Sequence, residues 1–442
     1  MSPATRSSGL AQLTGLGGAR GPGRRRRRSG RGLHRSGRRL ATVRAAGGFV
    51  LPAAGILVVA AVVFGAVQWL RPAPRAQVRA VTTSFTLAGK PALPWPSQGE
   101  AALAVAGAGV VGSSGSTAPV PIASIAKVMT ALLILRDHPL APGQSGPLLT
   151  ITPADVTQYQ TDVSEQQSVV AVVAGEQLTE LQALQALLIP SANNIAHVLA
   201  TWDSGSTAAF VVAMNNEAAT LGLTHTHFVS PSGFASGSVS TPEDLIRLGQ
   251  VAMANPVFAS VVGMPAVTLP VAGTLQNYDY NLGHGGFVGI KTGSDGHAGG
   301  CFLFEAKVAV AGGTATIDGA VLGQQAAPII QSALNASSTL VQALAPQLAD
   351  RQLIRRGEQV AQVVTPWGAR TTVVATQALT ALAWPGLDLK GNLHLDRIGS
   401  TLRRGQRVGT LDVDVAGTTH AIPVVTTGAV HGPGLGFKLG NI

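Results

Sequence analysis

Ala45 to Leu70 runs for 26 residues without a charged side chain and ends against Arg71. No other feature limits so strongly what the chain can do in water. A helix of about 20 apolar residues is long enough to span a bilayer. This run contains Ile56-Leu57-Val58-Val59-Ala60-Ala61-Val62-Val63-Phe64, Trp69 suits a headgroup interface, and Pro52 is tolerated in a membrane helix. Residues 1–44 before it hold twelve arginines and no acid. The asymmetry predicts a single-pass cell-membrane anchor over 45–70, a cytoplasmic arginine-rich tail over 1–44, and an extracellular remainder. A cleaved signal peptide, the competing reading, has a shorter apolar core and a shorter basic lead.

The same arginines account for the net charge. The chain carries +10, of which +12 lies in residues 1–44, leaving 10 − 12 = −2 for the rest. A nearly neutral remainder has no global basic field, so no nucleic-acid partner is expected. The tail reads instead as a topology signal that also meets anionic lipid. The lone cysteine, Cys301, excludes an intramolecular disulfide and reads as a small buried apolar residue. Residues 71–93 include Pro72, Pro74 and Pro91 and read as an extended linker.

Beyond the linker the hydrophobic pattern predicts an α+β domain over 94–346. Ala101 to Val111 reads as a strand turning at Gly112-Ser113-Ser114-Gly115. Ser124 to Leu135, Leu178 to Leu188, Asn194 to Thr201 and Ser206 to Leu221 read as helices. Thr241-Pro242-Glu243-Asp244 is a helix start, with a capping hydroxyl, proline in the first turn and two acids. Phe287 to Lys291, Cys301 to Val310 and Thr316 to Val321 read as consecutive strands, and Gln325 to Leu344 as a helix returning over them. The tail, 347–442, is β-branched and turn-rich and reads as a separate small β domain. It contains an echo: Arg355-Arg356-Gly357-Glu358-Gln359-Val360 returns as Arg403-Arg404-Gly405-Gln406-Arg407-Val408.

Three short motifs carry chemistry. In Ser124-Ile125-Ala126-Lys127 a hydroxyl and an amine lie three residues apart on one helical face. The helix N-terminus can turn a backbone N–H toward a developing oxyanion. The lysine can take the hydroxyl proton only when neutral, a state favoured by burial and a second cation. Ser191-Ala192-Asn193 falls in a break between two helices, where a loop can present a hydroxyl and an amide to a cleft. Lys291-Thr292-Gly293 closes a strand. A strand edge can pair with an extended peptide; the lysine and threonine suit a terminal carboxylate, and glycine permits close approach. Each motif has an ordinary structural explanation: a helix cap, a loop serine, a strand-end charge. Their order and placement together argue for a site. Ten histidines, among them His225 and His227, are scattered without a metal-binding spacing, so no metal or other cofactor is expected.

Ser-x-x-Lys, Ser-x-Asn and Lys-Thr-Gly in this order resemble the penicillin-recognising serine enzymes. The flanks resemble the D-alanyl-D-alanine carboxypeptidases of low molecular mass: Ile122 to Leu132, Leu187 to Ala196, Leu221 to Gly233, and Gly289 to Gly293 followed by Ala298 to Cys301. Ser230 and Ser232 replace the usual Asn and His of the third stretch, and Ser294-Asp295-Gly296-His297 departs from the usual pattern. The resemblance implies a penicillin-binding/β-lactamase-like antiparallel sheet with helices on both faces and a helical subdomain. It implies hydrolysis of peptidoglycan stem peptides ending in D-alanyl-D-alanine, with β-lactams as covalent inhibitors. By position it makes Ser124 the nucleophile, Lys127 the base and Ser191 the proton shuttle. Asn193 would hold the acyl side, and Lys291 and Thr292 the terminal carboxylate. Gly293 allows the approach, and the backbone N–H groups of Ser124 and Ser294 would form the oxyanion hole. A β-lactamase, the nearest rival, usually has Ser-Asp-Asn and a downstream deacylating Glu; here the motif is Ser-Ala-Asn and Glu217 sits inside a helical run. A non-catalytic peptidoglycan sensor would have no reason to keep all three motifs.

Overall fold

The computed structural model describes residues 50–81, 84–234, 237–311, 313–415 and 418–440; the arginine-rich tail expected over 1–44 lies outside them. The chain divides into two units, one ending at Gln68 and the other running from Trp69 to Ile442. The first contains most of α1 (Val50–Leu70). Among the described residues no single helix is long and apolar enough to cross a membrane; the apolar helical stretch there is Ala54–Leu70.

In the second unit two short strands come first, β1 (Gln77–Ala80) and β2 (Ser84–Thr86). The hairpin β3 (Glu100–Val105) and β4 (Gly109–Ser114) follows, then β5 (Val120–Pro121), a 3-10 turn (Ala123–Ala126) and α2 (Lys127–Asp137). Next are β6 (Leu148–Thr150), α3 (Pro153–Ser164), β7 (Gln177–Thr179), α4 (Glu180–Leu188), α5 (Asn193–Ser204) and α6 (Thr207–Thr220). Then β8 (Val239–Ser240), α7 (Pro242–Met253), α8 (Pro256–Val262), β9 (Ala266–Leu269) and β10 (Gly273–Gln276) lead to three long strands. These are β11 (Phe287–Asp295), β12 (Gly299–Val310) and β13 (Gly313–Gln324), followed by α9 (Ile329–Leu344). The tail holds β14 (Ala349–Ile354), β15 (Gln359–Val364), β16 (Arg370–Ala375), β17 (Leu379–Ala383), β18 (Asp388–Leu395), β19 (Arg407–Val415) and β20 (Thr418–Thr426).

The central sheet is antiparallel in the order β11-β12-β13-β3-β4. Successive residues of a strand face opposite sides, and here each side has its own core. Ala102, Ala104, Cys301, Leu303, Ala320 and Leu322 pack with the apolar residues of α2, α4, α5 and α7. Ala101, Leu103, Val105, Phe302, Phe304 and Val321 pack with α9 and with strands of the tail. All six residues of β3 are buried, which is why the strand reads as a continuous apolar run rather than an alternating one.

Two expectations are corrected. The strand expected over 101–111 is a hairpin whose turn falls at residues 106–108, and Gly112 to Ser114 belong to its second strand. The stretch expected as linker, 71–93, contributes β1 and β2 to the sheet of the tail. That sheet has the order β1-β15-β16-β20-β19-β18-β2, with Gln77 opposite Val364 and Phe85 opposite Leu389. Pairing of this kind depends on partners about 300 residues away, which no local pattern records. The echo in the tail is structural. Gly357 and Gly405 both take positive φ, +86° and +76°, at the turn into β15 and β19. Glu358 and Gln406 cap these turns alike, accepting the N–H of Arg355 at 2.7 Å and of Arg403 at 2.9 Å.

Candidate active site

Ser124 sits in the 3-10 turn that runs into α2. Side chains three apart eclipse in a 3-10 helix, and the Lys127 amine lies 2.7 Å from the Ser124 hydroxyl. Ala123, just before Ser124, has φ +46°, a conformation that costs energy for a residue with a side chain. Two glycines let neighbouring backbone close in on this turn. A Cβ on Gly233 would overlap the Ala123 carbonyl, and one on Gly293 would press on Ile122 O, Ser124 N and Ile125 N.

Lys127 is fully buried. Besides Ser124, its Nζ reaches Asn193 Oδ1 at 2.5 Å, the Ser232 carbonyl at 3.0 Å and Ser191 Oγ at 3.3 Å. The carbonyls of Asn193 and Ser232 only accept. A neutral amine has two N–H bonds for them and one lone pair left, which Ser124 Oγ–H can use; a protonated amine has no lone pair. Burial holds the Lys127 pKa well below that of a free lysine, the charge of Lys291 lowers it further, and Asp162 opposes them.

Ser191 lies between α4 and α5 with φ +62°. Its loop is pinned on both sides, Ala192 N–H donating to Ala186 and Asn193 N–H to Ser168. Asn193, nearly fully buried, opens α5 and has both ends of its amide engaged, Oδ1 by Lys127 and Nδ2 by Gln167 Oε1.

Lys291, Thr292, Gly293 and Ser294 lie on β11. Gly293 places this strand directly against the Ser124 turn. Lys291 is buried and donates to the Thr292 carbonyl at 2.9 Å. Burial brings its pKa down to about 7, opposed by the field of Asp279. Asp279, itself buried and raised to about 6 by desolvation, accepts the Asn281 N–H at 3.0 Å. Thr292 is buried and Ser294 half-buried on the same strand. The departure at 294–297 is turn chemistry: Asp295 accepts the N–H groups of His297 and Ala298 and closes the β11–β12 hairpin.

The structure therefore joins Ser124, Lys127, Ser191 and Asn193 in one hydrogen-bonded cluster and lays β11 beside it. Sequence reasoning missed several supporting groups. The Ser232 carbonyl contacts Lys127, and the neighbouring Pro231 carbonyl accepts from Thr130 Oγ1 at 2.7 Å. A main-chain oxygen has no residue-type signature, though the stretch 221–233 was visible as a resemblance. Gln167 and Asp279 belong to no motif. Glu217, the nearest acid to a deacylating glutamate in chain order, is occupied by Arg136 at 2.7 Å.

The chain matches the family model described as D-alanyl-D-alanine carboxypeptidase over residues 100–323, half of its length. It is 32% identical over 226 residues to a D-alanyl-D-alanine carboxypeptidase of Streptomyces sp., covering 47% of this chain and 74% of that protein. The crystal structure of the Streptomyces K15 DD-transpeptidase superposes with a TM-score of 0.50 at 27% identity, over 58% of this chain and 98% of that one. A D-alanyl-D-alanine carboxypeptidase from Francisella tularensis shares the fold over 78% of this chain and 96% of its own, with a TM-score of 0.58 at 19% identity. With its three motifs drawn together around Ser124, the chain belongs to the D-alanyl-D-alanine carboxypeptidase family.

Proposed function

We propose that Ser124 is the nucleophile that removes the terminal D-alanine of a peptidoglycan stem peptide. Lys127, neutral, takes the Ser124 proton as Oγ attacks the carbonyl of the penultimate D-alanine. The N–H groups of Ser124 and Ser294 receive the oxyanion. Ser191 passes the proton to the departing amine, free D-alanine leaves, and water releases the shortened peptide from the ester. Lys291 in its protonated form, which the field of Asp279 favours, holds the terminal carboxylate together with Thr292, and Asn193 lines the acyl side. A β-lactam would acylate the same hydroxyl. The observation that carries this reading is the buried Lys127 amine, 2.7 Å from Ser124 and with both N–H bonds taken by carbonyls.

The reading extends to location. Ile56 to Val63 of α1 are largely exposed apolar side chains, and they follow an arginine-rich segment. This supports a single-pass cell-membrane anchor with residues 1–44 in the cytoplasm and the catalytic region, 94–346, outside. Residues 347–442, with β1 and β2, form the accompanying β unit. The test is incubation of the full chain with a pentapeptide ending in D-alanyl-D-alanine and assay of free D-alanine. Release that disappears in Ser124→Ala supports the proposal; release unchanged in that variant refutes it.

A further inference from the structure

Productive base catalysis by Lys127 requires Asn193 to face it with its oxygen. Were the amide reversed, Nδ2 would present a donor to the amine and compete for the lone pair that Ser124 needs. An amide is nearly symmetric in shape, so something else has to set its direction. In this chain a short line of polar groups does so. Glu165 Oε2 lies 2.6 Å from Gln167 Nε2, and a carboxylate only accepts, so Nε2 points at Glu165 and Oε1 points away. Oε1 meets Asn193 Nδ2 at 2.5 Å. That contact turns Asn193 Oδ1 onto Lys127. Gln167 is itself anchored by its N–H to the Asp162 carbonyl at 2.9 Å, beside Gln166, whose φ is +57°.

We propose that Gln167 is a positioning residue for the reaction: it fixes the direction of the Asn193 amide, and through it directs the Lys127 lone pair at Ser124. Gln167 acts through Asn193 and needs no contact with substrate. This rests on the assignment of Lys127 as base, and the test separates the two. The readout is the second-order rate constant for acylation of the full chain by a fluorescent penicillin, on the plateau of its pH profile, with thermal unfolding alongside. Gln167→Met keeps the length but removes the acceptor, and is expected to slow acylation about three- to tenfold, the range of one net hydrogen bond. Gln167→Ala, a second acceptor-free variant, is expected to fall with it. In a Glu165→Gln background, where the facing carboxylate becomes an amide that can donate, Gln167→Glu still accepts from Asn193 Nδ2 and is expected to restore the rate to within about twofold, a rescue that bulk packing would not give. Wild-type rates in Gln167→Met, or equal loss in Met and Glu variants of unchanged stability, overturn the proposal. Labelling that persists in Ser124→Ala or at full rate in Lys127→Met instead overturns the underlying assignment.

Discussion

Adding one methyl group at Gly293 tests how closely β11 must lie against the proposed nucleophile, Ser124. An alanine Cβ there would stand 3.0 Å from Ile122 O, 3.0 Å from Ser124 N and 3.2 Å from Ile125 N. Contacts of this length are tighter than almost all real Cβ contacts, so strand or turn must give by a few tenths of an ångström. All three obstacles are backbone and cannot swing aside. Overpacking of this size costs about 1–3 kcal/mol. Where that cost falls on the alignment of the Ser124 N–H, one factor of ten in rate per ~1.4 kcal/mol gives a loss of about 5- to 150-fold in acylation. Gly296→Ala is the control, three residues along the same hairpin, where an added Cβ meets nothing within 4 Å. Acylation by a fluorescent penicillin measures both, with thermal unfolding as the check on folding. Gly293→Ala acylating within about twofold of wild type would refute the reasoning.

Three further outcomes follow from the same geometry. The acylation rate should rise with pH through a Lys127 pKa below that of free lysine, because only the neutral amine accepts the proton; a flat profile from about pH 6 to 10 would contradict the base assignment. Lys291, at about 7 folded, binds fewer protons in the native than in the unfolded state between pH 7 and its ordinary value of 10.5. Its burial therefore costs stability at neutral pH, a cost that shrinks as pH rises through that window, and urea titrations should show that slope flattened in Lys291→Met. Gly357→Ala and Gly405→Ala should each destabilise by about 1–2 kcal/mol, the cost of a side chain at positive φ, since neither Cβ would meet an obstacle; equal midpoints to wild type would deny the shared turn.

What the sequence disclosed and what it withheld divide along local and non-local lines. The helix start at Thr241 was legible because its parts are adjacent: the hydroxyl accepts from Asp244 N–H and Pro242 occupies the first turn. The echo in the tail was legible because the two turns use the same residues for the same contacts. The motifs were legible because Ser124 and Lys127 are one turn apart. Gly112 looked like a turn but lies in β4, where Trp95 covers it and leaves little room for a side chain. β1 and β2 were hidden in a proline-rich stretch because their partners come from the other end of the chain. The polar line from Glu165 to Asn193 was hidden because amide direction is a property of the folded cluster alone.

The central claim, that a single alcohol held against a neutral lysine carries the acyl group, is tested most directly by locating the covalent adduct. The full chain is acylated with a penicillin, digested, and the modified peptide sequenced by mass spectrometry. The penicilloyl group is expected on Ser124, one per chain. An adduct on Ser191 or elsewhere, or none at all on a folded protein, would contradict it.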